Sequence, residues 1–334
     1  VNTTSGEIDV TLPAGTAGDV VAFKDYAKTF DTNNVTLVQN GSDKIGGSTV
    51  NATLSTEGLA VTLVFVDATQ GWLVTDDGLQ SQASTAQYIT ATGGTITTSG
   101  DYKIHSFTGP GTFCVSSAGN ACGSNTTDYL VVAGGGGGGS ANGGGGGGGA
   151  GGYRESSGAA SGCYTASPLG ACVSALPVTV TGYPITVGGG GAGAPSNGQG
   201  ANSVFSTIIS AGGGRAGCQT YGLNGGSGGG GSGNGCNAGG SGNTPPVSPP
   251  QGKDGGTSAG NTGAGGGGAG VAGSNAAPCS PVGGVGGDGV TSSINTSPVT
   301  RAGGGGGNSE QYTGGPGGAG GGGKGGDGPS GNGG

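Results

Sequence analysis

Tyr129-Leu130-Val131-Val132-Ala133-Gly134-Gly135-Gly136-Gly137-Gly138-Gly139-Ser140 is where the chain changes material. Before it the sequence is Thr- and Val-rich; after it glycine runs recur to the last residue. Of 334 residues 93 are glycine, 16 of them before Ala133 and 77 from there on. An ordinary chain carries about 7% glycine. The charge divides at the same point. Residues 1–132 hold four lysines and twelve acidic residues, whereas residues 133–334 hold five of each sign. The formal net charge of −8 therefore sits on the first segment. Charged residues make up 8% of the chain, against about 25% usually, which excludes a charge-driven disordered tail and most ordinary enzymes. So few bases also argue against nucleic acid as a partner, because phosphate binding needs clustered Lys and Arg.

Working back from the junction, short alternating runs separated by turn signals predict an all-β N-terminal part. Residues 1–82 read as a β-sandwich-like module, with strands expected at 7–12, 35–38, 59–66 and 71–74 and turns at Pro13-Ala14-Gly15, Asn40-Gly41-Ser42 and Asp76-Asp77-Gly78. Phe23 to Phe30 is the one window with a helical period, enough for one or two turns. Residues 83–132 read as a smaller β unit leading into the glycine domain, with strands at 87–90, 94–98, 102–107, 111–115 and 129–132. The longest apolar stretch, residues 59–66, is interrupted by Thr62 and falls far short of the ~20 residues of a membrane helix, which predicts a soluble chain without membrane insertion. No basic, apolar leader opens the sequence. Methionine is absent even from position 1, as expected of a fragment or a processed chain.

Working forward from the junction, the composition of residues 133–334 fits flexible Gly/Ser linkers or an ordered glycine lattice. If ordered, its form follows by elimination. Collagen requires glycine at every third position, and the run 143–149 has no such period. Glycine is a poor helix former and gives an ordinary sheet nothing to pack. Polyproline-II geometry remains, with about three residues per turn and no internal hydrogen bonds, so its N–H and C=O groups must bond to neighbouring strands. Ordering a backbone residue costs about 1–2 kcal/mol, and glycine loses most. A net hydrogen bond returns about 1 kcal/mol, with about 0.5–1 more from a Cα–H···O contact. Such a lattice holds only if most residues are bonded on several sides. The expected fold is therefore all-β modules followed by a polyglycine-II helix bundle over 133–334, with little or no α-helix.

Several stretches carry a family resemblance. Gly18-Asp19-Val20-Val21-Ala22-Phe23-Lys24-Asp25-Tyr26-Ala27, Asn33-Asn34-Val35-Thr36-Leu37 and Gly71-Trp72-Leu73-Val74-Thr75 resemble a repeated module of bacteriophage tail-fibre proteins. Tyr102-Lys103-Ile104-His105-Ser106-Phe107-Thr108, Gly111-Thr112-Phe113 and Tyr129 to Gly136 resemble the glycine-rich domain that often ends such fibres. The glycine runs are similar to the polyglycine-II sandwich of tip adhesins from T-even-like phages. The resemblance implies a virion fibre protein, extracellular and commonly homotrimeric, that joins other fibre or tail proteins and attaches the particle to a bacterial surface receptor, either a polysaccharide or an outer-membrane protein. It transfers no individual binding residue. The competing reading is a structural subunit of a glycine-rich extracellular or cell-surface filament.

The loops between glycine runs are the candidate recognition surface, with Tyr153, Arg154, Glu155, Tyr164, Tyr221 and Tyr312 as candidate contacts, since aromatic and Arg side chains on short loops suit binding. Seven cysteines suggest three loop-closing disulfides, Cys114–Cys122, Cys163–Cys172 and Cys218–Cys236, with Cys279 left over. No CxxC pair supports zinc, so no metal is expected. Catalysis has no support either. His105 lies in a strand pattern without a nucleophile elbow nearby, and Lys324 is followed by Gly325 rather than Ser or Thr, so the P-loop pattern fails. No cofactor is expected.

Overall fold

A computed structural model describes residues 1–79, 86–120, 123–140, 144–158, 164–196, 198–278, 281–310 and 313–328. The chain forms two compact units, Val1–Thr85 and Ala86–Gly334. It is essentially all-β: the single 3-10 turn Pro168–Gly170 is the helical element among the described residues.

The first unit has two three-stranded sheets. In one, β1 (Ile8–Thr11) runs parallel to β3 (Val35–Val38), and β3 pairs antiparallel with β4 (Ala52–Leu54). In the other, β5 (Leu59–Phe65) lies between β2 (Val20–Lys24) and β6 (Trp72–Leu79), all antiparallel. Alternation along β3 and β5 turns Val35, Leu37, Val61, Leu63 and Phe65 inward. There they join Leu12, Phe23, Phe30, Leu54 and Trp72 in one core. Trp72 meets Phe65 edge to face, with ring centroids 5.5 Å apart.

The window 23–30 contains no helix. β2 runs to Lys24, and the buried Asp25 then draws the backbone into a loop. Its carboxylate accepts the N–H groups of Thr29 (3.2 Å), Phe30 (3.1 Å) and Gly58 (3.0 Å). Burial pushes the acid's pKa up, but the backbone donors outweigh it and hold Asp25 below the usual carboxylate range.

In the second unit, the β strands before the junction share a sheet with strands that lie between glycine runs. β10 (Gly111–Ala118) pairs with β7 (Ile89–Thr92) on one side and β15 (Gly182–Thr186) on the other. The sheet continues through β16 (Ser203–Phe205) and β17 (Ile208–Ser210). Its small core buries Ala91, Phe113, Val115 and Val178, and the Phe113 ring meets Phe205 at 5.9 Å and Tyr183 at 6.4 Å. Four two-stranded pairs complete the strand inventory: β8 (Thr95–Ser99) with β9 (Tyr102–Ser106), β11 (Thr126–Thr127) with β14 (Leu176–Pro177), β12 (Leu130–Val132) with β13 (Tyr153–Glu155), and β18 (Val290–Ser292) with β19 (Val299–Arg301).

The glycine runs satisfy their backbones laterally. In the run 227–232 every N–H donates to a neighbouring run, at 2.8–3.2 Å, and the direction repeats every third residue. Ser227 and Gly230 bond the carbonyls of Ala150 and Gly147, Gly228 and Gly231 those of Lys253 and Gly256, and Gly229 and Ser232 those of Leu223 and Thr220. Its carbonyls accept from three further segments, through Gly214 and Gly217, through Ala264 and Gly267, and through Gly240. The run 263–268 is surrounded in the same way by 305–308, 228–231, 271–274, 284–287, 147–150 and 253–256.

Glycine is required inside these runs for space. None of the glycines from Gly228 to Gly231 has a left-handed φ. A Cβ on Gly228 would overlap the Gly240 carbonyl oxygen, and one on Gly230 that of Ala264. At the outer run 188–193 the constraint lifts only on the outward side: a Cβ on Gly189 would meet nothing within 4 Å, whereas one on Gly188 or Gly191 would still overlap the carbonyl oxygen of Ala201 or Gly198.

Two predictions follow from these contacts. Gly230→Val is expected to unfold the second unit, whereas Gly189→Ala leaves its thermal midpoint unchanged or raises it slightly, by about 0.4–1 kcal/mol in stability; calorimetry of both variants decides. Asp25→Ala should cost the first unit about 1–3 kcal/mol, because three backbone donors, those of Phe30 and Gly58 buried, lose their acceptor. Since the folded pKa of Asp25 is depressed, its stabilisation is present above the unfolded value of about 3.9 and is lost as pH falls through the folded one. Denaturant melts between pH 7 and pH 2 should show that loss in the native chain and a weaker one in Asp25→Ala.

Candidate functional site

The two ends of the glycine runs differ in construction. At one end the runs emerge from β strands. β12 and β13 pair so that Val132 faces Tyr153 and Leu130 faces Glu155. Strand alternation buries Tyr153 and Glu155, each only 1% exposed, and turns Arg154 the other way. The Tyr153 hydroxyl donates to Glu155 Oε2 at 2.9 Å, the Ser167 N–H donates to the same oxygen at 2.9 Å, and the Ser292 hydroxyl donates to Oε1. Burial, then the adjacent Glu155 carboxylate, push the Tyr153 phenol well above its ordinary range. Gln251, also buried, receives the Ala211 N–H on Oε1 at 2.8 Å and donates from Nε2 to the Pro245 carbonyl at 2.8 Å, while its own carbonyl accepts the Tyr153 N–H at 2.9 Å.

This network corrects the expectation for Tyr153 and Glu155. Their side chains clamp segments distant in sequence and present no outer surface. Tyr164 is half-buried, with its hydroxyl donating to the Ser156 carbonyl at 3.3 Å, and Arg154 places Nη1 3.5 Å from the Ile209 carbonyl. The sequence carried one signal for the clamp that was not read: Tyr153-Arg154-Glu155 has strand alternation directly after a glycine run, as Leu130 to Val132 has directly before one. Gln251 gave a fainter signal, a lone long amide where the proline-rich loop 244–250 meets the next run.

At the other end the runs are joined by tight turns. Gly233 donates to the Gly144 carbonyl, Asn234 to that of Gly260, and Glu310 to that of Asn261, so the turns form one continuous surface. Gln219, Asn234 and Gly260 adopt left-handed φ there. Tyr221, 63% exposed, lies beside it with Gln219 and Thr220 also exposed. Of the tyrosine candidates, Tyr221 is the broadly exposed one among the described residues; Tyr312 lies outside them.

Cys114, Cys172, Cys218 and Cys236 carry free thiols. The expected Cys218–Cys236 closure is therefore not made; instead the Cys218 thiol donates to the Ser140 carbonyl at 2.9 Å and ties one turn to the next without a covalent bond. Cys122, Cys163 and Cys279 lie outside the described residues. Among the described residues no group of three His, Cys, Asp or Glu side chains is arranged to hold a metal, and no helix is long and apolar enough to cross a membrane.

The profile of a family described as a glycine-rich domain matches residues 107–334, from just after β9 to the last residue. No curated protein matches the sequence.

Tyr153→Phe tests the clamp. Removing the hydroxyl leaves one Glu155 oxygen with a single donor and is expected to lower the stability of the second unit by about 0.5–1.5 kcal/mol in a denaturant titration. Because the folded pKa of Tyr153 is raised, the native chain holds that stabilisation below the unfolded value of about 10 and loses it as pH rises further, so its stability should fall more steeply than that of Tyr153→Phe above pH ~10.

Proposed function

The chain belongs to the glycine-rich domain family, and on that premise we propose that it is a virion fibre protein whose glycine domain attaches the particle to a receptor on a bacterial surface. We further propose that the glycine runs are polyglycine-II helices in hexagonal array. A helix of three residues per turn sends successive N–H groups in three directions and repeats at every third residue. The bonding of 227–232 and 263–268 to six neighbours each supports that geometry.

The observation that carries the attachment reading is the turn surface itself. A backbone lattice bonded on all sides holds a continuous set of turns, on which Gln219, Thr220, Tyr221, Asn234 and Asn261 are all exposed. Turns so held lose little entropy when a partner binds. Their exposed side chains are polar and aromatic, the mixture that serves adaptable recognition surfaces. The role is binding rather than catalysis, in an extracellular particle, with the first unit's acidic β module joining it to other fibre or tail proteins, commonly as a trimer.

The test uses the purified chain and intact particles. Electron microscopy of the source particles should place this chain at a fibre tip together with capsid and tail proteins. Soluble chain should block adsorption to host cells, and a Tyr221→Ala/Asn234→Gly variant, which keeps the left-handed backbone at 234 and an unchanged melting curve, should block at least about tenfold less well, equivalent to the loss of one interface hot spot. Long filaments of this chain alone, without other virion proteins, would instead favour the structural-filament reading.

A further inference from the structure

The second unit has an open cleft of about 220 Å³ between the β8–β9 hairpin and the start of β10. We propose that this cleft binds one neutral sugar residue. The inference goes beyond the attachment reading and does not require it.

Size and lining both point to that class. The volume falls below the ~300–1,000 Å³ of sites for drug-sized ligands, so the occupant is small. The polar and aromatic residues of its lining are Thr95, Ser106 and Thr108, all exposed, and the half-buried Phe107. No charged side chain lines the cleft, so a phosphate, carboxylate or ammonium group would lose water there without a counter-charge. A purely apolar ligand would strip water from three hydroxyls and leave them unpaired. A pyranose answers both sides of the lining: its hydroxyls exchange donor and acceptor roles with Thr and Ser, and its C–H face suits an aromatic ring.

The walls are also fixed in advance. Gly93 and Gly94 both have left-handed φ, +108° and +65°, which turns the chain tightly at the cleft edge. The Gly93 carbonyl lies 2.8 Å from His105 Nδ1, which therefore carries the proton and donates. The same imidazole packs edge to face on the buried Phe113 at 5.0 Å, anchoring the turn to the core. Glycines flank the Phe107 ring: a Cβ on Gly94 would come within 3.1 Å of it, and one on Gly111 within 3.2 Å. Side chains at either position would crowd the ring. A cleft whose ring and rim are held in place loses little on binding.

Saturation-transfer NMR on the full chain tests this, with methyl glycosides of glucose, galactose, mannose and N-acetylglucosamine as probes and glucuronic acid as the charged control. Transfer to at least one neutral glycoside is expected, with none to glucuronic acid. Affinity should drop about fivefold for each hydroxyl removed in Thr95→Val and Thr108→Val, both exposed positions. Phe107→Leu, which keeps an apolar contact with the core, should abolish transfer. No transfer to any neutral glycoside overturns the proposal, as does transfer undiminished in the Thr95→Val/Thr108→Val double variant, whatever Phe107→Leu does to folding. Sugar binding that persists in a chain unable to block cell adsorption would count against the attachment reading alone.

Discussion

A backbone N–H can reach the carbonyl of a neighbouring run on every side only where no Cβ stands between them, and the second unit is organised by that condition. In a sheet, hydrogen bonds lie in one plane and side chains fill the other two directions. The run 227–232 uses all the directions around its axis for backbone bonds, so the lattice has no apolar core and needs none. Its cohesion is that of many modest bonds, each about 1 kcal/mol net, set against the large ordering entropy of glycine. Such a balance holds at the centre and weakens at the rim, where 188–193 is bonded on fewer sides. Ala264 and Ser227, both fully buried, mark places where the packing leaves room for one more carbon.

The strand-forming part of the chain was largely legible. The apolar run beginning at Leu59 is β5 to within a residue, and Val35 to Val38 is β3. What escaped were elements whose reason for existing lies elsewhere in the chain. β2 was partly hidden by an apparent helical period over 23–30, and a single carboxylate, Asp25, bends that segment by collecting N–H groups from Thr29, Phe30 and the distant Gly58. The short strands β15 to β19 are three to five residues long, too short to show a period, and their partners are other short segments or the earlier β10.

The same limit governed the candidate surface. Tyr153, Arg154 and Glu155 have the composition of a recognition loop, yet pairing with β12 turns the outer two inward. The side chain that completes the Glu155 cluster, Ser292, stands 137 residues away. Tyr221 was legible because exposure at a turn needs no distant partner. Cysteine spacing misled over Cys218 and Cys236, since nearness in sequence at a run-to-run turn does not bring two thiols together when neighbouring runs supply closer acceptors such as the Ser140 carbonyl.

The neighbours of 227–232 include one run in the same direction, 253–256, and one in the opposite direction, 147–150, with equally good bonds to both. The lattice is thus indifferent to chain polarity, unlike a βαβ fold, where handedness and direction restrict every new connection. A pair of runs joined by a turn can be added at the rim or removed from it without rewiring the rest. Such a domain can widen by duplication, one hairpin of glycine at a time, while each added turn is free to diverge in sequence. Its architecture separates a uniform means of satisfying the backbone from turns whose sequences the lattice leaves open.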